Sequence, residues 1–239
     1  MMAILNLLYK DSIAIDDKIS VSIPTVGQIL ENEGAYYTMV SMLTAMPIDY
    51  MVLLDDMGID FSTMNEYELF IKLFPYIQKM KESYLIFRDL DLSKFQLARN
   101  VDDDTLAYVD AENDIIIDRR MHALISSAIR RIHNIKKDVR KPANEEAKKY
   151  MLDVARRKAR RRATSASESQ IESLIVAMVN APEFKYDFDT VKNITIYQFN
   201  ESVRQVVKRV DYGNRMYGIY TGTIKPADIS KDDLNWLVH

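Results

Sequence analysis

Residues 156–162, Arg-Arg-Lys-Ala-Arg-Arg-Arg, place six positive charges in seven positions, the densest chemical feature of the chain. Lys148 and Lys149 extend the same basic character about two turns earlier. At this density cations neutralise phosphates, so one available chemistry is salt-sensitive, sequence-independent binding of nucleic acid. A second is pairing with an acidic protein surface: a partner's, a neighbouring copy's, or the chain's own N-terminal part. A third is plain solvation at a helix end, where each cation complements the dipole by about 0.3–1 kcal/mol. Six charges exceed what capping requires. Tyr150 is the nearest aromatic residue, so no stacking platform for single strands is evident. The helix's apolar side is rich in Ala and lacks Trp and Phe, which argues against a membrane surface. The expected interaction set is therefore Lys148, Lys149, Arg156, Arg157, Lys158, Arg160, Arg161 and Arg162, with an acidic protein partner placed ahead of nucleic acid.

Other groups offer less. Asp102-Asp103-Asp104 and Asp55-Asp56 could hold Mg²⁺ only with ligands converging from other elements, and neither shows such a spacing. They read as a solvated turn and a solvated helix end. Of the three histidines, His122 and His133 stand eleven residues apart on one expected helix, three turns distant, and His239 ends the chain. The first two cannot chelate one ion without sharp bending and read as packing or surface residues. There is no cysteine. Disulfides, iron–sulfur clusters, zinc–thiolate sites and cysteine nucleophiles are thereby excluded. No GxxxxGK, GxGxxG, GxSxG or HExxH pattern occurs. No catalytic residue, cofactor or metal is expected, and the chain reads as a non-enzyme.

The elements that carry the basic run sit in a divided chain. Residues 1–118 hold 8 basic and 21 acidic side chains, 119–162 hold 16 and 4, and 163–239 hold 8 and 10. The net charge of −3 is thus a near-cancellation of −13, +12 and −2. Glycine is missing between Gly58 and Gly213, which favours helices and simple loops over a many-stranded sheet. The expected fold is α+β and predominantly helical: N-terminal helices with a small antiparallel sheet, then a C-terminal helical bundle with a basic helix. The expected division is an acidic region over 1–118 and a mainly helical region over 119–239, with the basic helix at 143–162 and a linker near 163–167.

Within that frame, Ile13, Ile15, Ile19, Val21 and Ile23 alternate around Asp16-Asp17 and predict a hairpin ending at Pro24. Tyr36, Met39, Val40, Leu43 and Met46 share a helical face that Pro47 should stop. Ile48 to Met57 predicts a short helix closed by Gly58. Thr63-Met64-Asn65-Glu66 matches a capping box ahead of the stripe Tyr67, Phe70, Ile71 and Phe74, with Pro75 as a kink or restart. Short apolar runs at 84–87, 95–97, 106–109 and 115–117 predict strands. Helices follow with apolar faces Leu124, Ile125, Ala128, Ile132 and Ile135, then Ala147, Tyr150, Met151, Val154 and Ala155. Ser167-Glu168-Ser169-Gln170 predicts a cap for the stripe Ile171, Leu174, Ile175 and Met178. Thr195 and Gln198 should cap a helix bearing Phe199, Val203, Val206, Val207 and Val210 and stopping near Gly213. Trp236 is expected to dock the tail onto the helices. The apolar start, Met1 to Leu8, has no basic segment before it, and no run reaches the ~18 apolar residues of a membrane span. A soluble, cytosolic chain is expected.

Several stretches taken together resemble a family of tailed-bacteriophage and Firmicutes prophage morphogenesis proteins. They are residues 20–33 (SVSIPTVGQILENE), 45–61 (AMPIDYMVLLDDMGIDF), 65–74 (NEYELFIKLF), 141–151 (KPANEEAKKYM), 200–207 (NESVRQVV) and 218–236 (GIYTGTIKPADISKDDLNW). Members of that family are often labelled tail assembly chaperones. The resemblance implies a non-enzymatic protein that binds a tape-measure or tail-tube protein in the host cytoplasm until the tail assembles. It brings no catalytic residues. A structural virion component, such as a connector or tail subunit, and a nucleic-acid-associated phage protein using 156–162 are the alternatives. A homo-oligomer is compatible with each.

Overall fold

A computed structural model describes residues 6–99, 104–163 and 169–237, apart from the side chains of residues 162 and 163. In chain order its elements are β1 (Ser12–Ala14), β2 (Ser20–Ser22), α1 (Val26–Leu30), α2 (Glu33–Leu43), α3 (Met51–Asp56), α4 (Glu66–Ile77) and α5 (Tyr84–Phe87). Then come β3 (Gln96–Arg99), β4 (Leu106–Asp110), β5 (Ile115–Ile117), α6 (Arg119–His133), α7 (Glu145–Ala163), α8 (Gln170–Val179) and α9 (Ile196–Tyr220). The fold is α+β and predominantly helical, with two small antiparallel sheets among the described residues.

The alternation at the N-terminus becomes the β1–β2 hairpin, in which Ile13 lies opposite Val21. The Asp16 carboxylate closes its turn by accepting the N–H groups of Lys18 and Ile19 at 2.9 and 2.6 Å. The second sheet runs β3-β4-β5, with Leu97 opposite Tyr108 and Tyr108 opposite Ile117. A single large core draws residues from Leu7 to Phe199. It takes Ile29 from α1, Met39 from α2, Phe74 from α4, Tyr108 from β4 and Ile129 from α6. A smaller cluster gathers Leu54, Phe61, Leu69, Leu73 and Leu152, so α7 is held to the body by its own apolar patch.

The two ends of the fold meet where helices begin. Thr25 and Thr195 each form a capping box with a glutamine three residues on, Gln28 and Gln198, and the two threonines form an antiparallel bridge. The first-turn donors Val26 N–H and Ile196 N–H, which have no partner within their own helices, bond the carbonyls of Ile194 and Pro24 at 2.9 and 2.8 Å. Each helix start thereby satisfies the other's orphan donor.

Several local expectations shift. Residues 84–87 form the helix α5, not a strand, with Leu85, Ile86 and Phe87 all buried. A short apolar run fits either element when it is enclosed on every side. The cap of α4 is Asn65 with Glu68, two residues beyond the expected box, which frees Glu66 for a partner on α6. Pro75 lies inside α4 without stopping it. The helix α2 ends at Leu43, ahead of Pro47, and Gly58 closes the turn after α3 at φ +70°. In α6 the left-handed Asn134 ends the helix, so Ile135 lies beyond it and exposed. Ser169, rather than Ser167, caps α8 by accepting the Glu172 N–H at 3.0 Å. Ser167 and the expected linker residues 164–167 lie outside the described residues, as do Asp102, Asp103 and His239. The helix α9 passes Gly213 and runs on to Tyr220.

Candidate interaction surfaces

The basic helix α7 begins where the Asn144 side chain accepts the Ala147 N–H at 2.8 Å. Glu145 and Glu146 occupy its first turn and the cation run its last turns, so charge follows the dipole at both ends. One stripe at four-residue spacing faces the body. Lys148 Nζ reaches Asp60 Oδ2 at 2.7 Å, Leu152 is buried, and Arg156 reaches Asp55 Oδ2 at 2.9 Å and also holds Asp56. The hydrogen bond from Lys148, joined by those from Ser62, takes the Asp60 carboxyl down to about 2. Asp60 in turn raises the Lys148 ammonium, and Asp56 followed by Asp55 raises the Arg156 guanidinium.

Two expectations change here. Tyr150 and Val154 lie on the exposed side of α7, 68% and 42% accessible. The helix is rotated because the aliphatic stems of Lys148 and Arg156 flank Leu152 and cover apolar surface while their heads reach carboxylates. Asp55 and Asp56, read from sequence as solvated, are the acceptors for Arg156.

The remaining predicted residues divide by direction. Lys149, Arg157 and Lys158 are exposed and make no ion pair with a carboxylate among the described residues. Arg157 Nε donates to the Asp153 carbonyl of its own helix at 3.3 Å. Arg160 and Arg161 are exposed and each has an interaction partner. Arg162 belongs to the helix, and its side chain is outside the described set. No group of three or more His, Asp or Glu among the described residues could hold a metal ion.

Both described histidines are built into the body. The His122 ring stacks on Phe70 with centroids 4.2 Å apart, and Tyr36 Oη lies 2.8 Å from His133 Nε2. Burial pulls both imidazoles down to about 4, at His122 against the opposing charge of Glu66. Burial also raises the Tyr36 phenol, so this contact joins a protonated tyrosine to a neutral imidazole. Beneath them, Glu66 accepts Arg130 NH2 at 2.7 Å and pairs with Lys137. Burial alone would raise its carboxyl, but Lys137 and Arg130 hold it below the ordinary range.

A third surface was not signalled by charge or motif. The groove beside α9, about 640 Å³, is lined by Tyr9, Tyr186, Tyr197, Val206, Arg209 and Trp236, among others. Tyr9 is 88% exposed and Trp236 45%. The tail reaches this place as expected of Trp236, though it is fixed through polar contacts: Gln205 Nε2 donates to the Trp236 carbonyl at 2.8 Å. The sequence signal for the groove is five aromatics at positions 9, 184, 186, 197 and 236, spread too widely along the chain to be read as a set.

The fold and these surfaces define a predominantly helical α+β protein that presents a charged helix face and an aromatic groove. Residues 162–239 match the family model of the YomV second domain, a family derived from a Bacillus prophage, which is consistent with a phage protein. The matched segment contains α8, α9 and the tail. No curated protein and no solved structure matches the chain. No helix among the described residues is long and apolar enough to cross a membrane.

Proposed function

We propose that this chain is a bacteriophage assembly protein that acts by binding other proteins, without catalysis, as a tail assembly chaperone for a tape-measure or tail-tube protein in the host cytoplasm. The observation that carries the reading is the position of the aromatic groove. Most of its lining, on residues 183–209 and Trp236, falls in the segment similar to a prophage-derived domain family, and Leu8 and Tyr9 from the N-terminal part complete it. Tyr and Trp offer large, rigid, amphipathic contact area, and grooves of this kind take extended or helical segments of a partner. The packing of His122 and His133 against aromatic rings supports a binding role over acid–base chemistry.

The test is co-expression with the tape-measure and tail-tube proteins of the same phage. Their solubility and co-purification should depend on Tyr186 and Trp236, and purified virions should lack the chain. Stoichiometric copies in virions would instead make it a structural component. A second reading is favoured by one observation: Lys149, Arg157 and Lys158 are exposed on α7 and hold no carboxylate among the described residues. That arrangement suits phosphates, and nucleic-acid binding that weakens steeply above ~50 mM salt would support it.

A further inference from the structure

The face of α9 that enters the core continues after the body of the protein has ended. Ile196 and Phe199 are buried, and Val203 and Val206 pack against the core half-buried. Further along, Val210, Tyr217 and Tyr220 are 50%, 72% and 80% exposed. Val203, Val210 and Tyr217 recur every seven residues, and so do Val206, Gly213 and Tyr220, which gives the two interleaved positions of a coiled-coil seam. The opposite face is occupied. The tail folds back along it, with Arg215 NH1 on Asp233 at 3.0 Å and Lys208 Nζ on the Asp232 carbonyl at 2.9 Å. Ile224 packs directly over Gly218. The tail thus braces the helix and leaves its seam from Val210 to Tyr220 uncovered by the described residues.

We propose that this seam docks onto the same seam of a second copy, antiparallel, to form a homodimer. Two α9 helices crossing level with Arg215 bring Tyr217 of each copy opposite Gly213 of the other, and Tyr220 opposite Val210. Every layer then sets a ring against a small residue. The socket exists: nothing lies within 4 Å of where a Cβ at Gly213 would stand. A parallel pair would put ring against ring at Tyr217 and leave a void at Gly213, so self-complementarity selects the antiparallel arrangement. Charge permits it, because Lys208 and Arg209 fall level with Gly222 and Thr221 of the other copy. With ~150–250 Å² available per aromatic side chain, the seam and its flanks cover roughly 500 Å² per copy. The total of about 1,000 Å² is the lower bound of a specific interface. Under three heptads long, the seam is too short for a free coiled coil and depends on the anchoring of α9 at Phe199. The dimer goes beyond the chaperone reading and does not rest on it.

Sedimentation equilibrium of the full chain up to about 100 μM, in the range of a micromolar interface, tests the proposal. A reversible monomer–dimer equilibrium is expected. Y217E should leave only monomer with unchanged circular dichroism, since the ring is exposed. Gly213→Gln is the sharper variant. It improves helix propensity and fits the monomer, yet fills the socket, so dimerisation should weaken at least about tenfold while the melting temperature of the dilute protein holds or rises. Tyr76→Glu, on an exposed site of α4, should leave the dimer intact. A chain that stays monomeric throughout the range, or a dimer indifferent to Tyr217→Glu and Gly213→Gln, overturns the inference.

Discussion

The Tyr108 hydroxyl donates to the Ile71 carbonyl at 2.9 Å. That carbonyl is the acceptor Pro75 leaves empty in the middle of α4, because proline has no N–H to return to the residue four before it. A strand side chain therefore supplies the bond the helix lacks, and α4 continues to Ile77. Tyr67 ties the same helix to the sheet by donating to the Leu106 carbonyl at 2.7 Å. Tyr108→Phe should cost about 1–2 kcal/mol, the price of a buried acceptor left unpaired. Pro75→Ala in the Tyr108→Phe background restores a backbone donor and should recover part of the loss. Urea denaturation of the four proteins in this cycle measures the coupling.

Stability should fall with acidification through the histidine range. Burial holds His122 and His133 at about 4 in the folded chain, against roughly 6.5 unfolded. Between those values the unfolded state binds more protons, so this stabilisation is complete above about 6.5 and is lost as pH drops toward 4. Each histidine contributes a slope of at most about 1.4 kcal/mol per pH unit. Glu66 and Asp60 have depressed carboxyls and lose their contribution only below about 4.3 and 3.9, their unfolded values. Denaturation midpoints measured between pH 7 and 5 should decline, and His122→Phe, which keeps a flat ring beside Phe70, should remove about half of that slope.

Glu66 is the counter-charge on which the α2, α4 and α6 junction depends. Arg130, only 12% exposed, spans from Glu66 to the Thr44 carbonyl, at 2.7 and 2.6 Å. Removing the carboxylate with Glu66→Ala leaves that guanidinium buried without its anion and should cost about 3 kcal/mol. The double variant Glu66→Ala, Arg130→Met should be closer to wild type than Glu66→Ala alone, since no charge then remains to desolvate. Chemical denaturation of both proteins decides; equal losses would mean that the ion pair contributes through packing.

Much of the fold was legible because alternation, stripes and caps are local. The β1–β2 hairpin, the stripe of α4 and the Thr195-Gln198 box are each written within a few residues. The equivalent box at Thr25-Val26-Gly27-Gln28 is as local, whereas its pairing to Thr195 spans 170 residues and leaves no local mark. What failed depended on distant partners. Pro75 reads as a break until Tyr108 is placed beside Ile71, and 84–87 reads as a strand until its enclosure is known. The basic run was legible as charge, but its division was not. Which of Lys148 and Lys149, or Arg156 and Arg157, turns inward follows from the position of Leu152 against Leu54 and Phe61, a tertiary fact.

That division predicts opposite behaviour for adjacent cations. Lys148 and Arg156 are committed to Asp60 and to Asp55 and Asp56, so their alanine variants should lower the melting temperature and loosen α7, seen as faster amide exchange across Glu145–Ala163. Alanine at Lys149, Arg157 and Lys158 should leave the melting temperature near wild type, because these side chains hold no carboxylate among the described residues. Retention on heparin should respond the other way. If the outer face meets a polyanion, each outward cation removed should lower the slope of log affinity against log salt by about 0.9, whereas Arg156→Ala should change it little. Equal salt slopes for Arg156→Ala and Arg157→Ala would mean that α7 detaches from the acidic surface when it binds, making Asp55, Asp56 and Asp60 competitors for the same cations. Asp56→Asn would then strengthen retention, and a docked helix predicts no such gain.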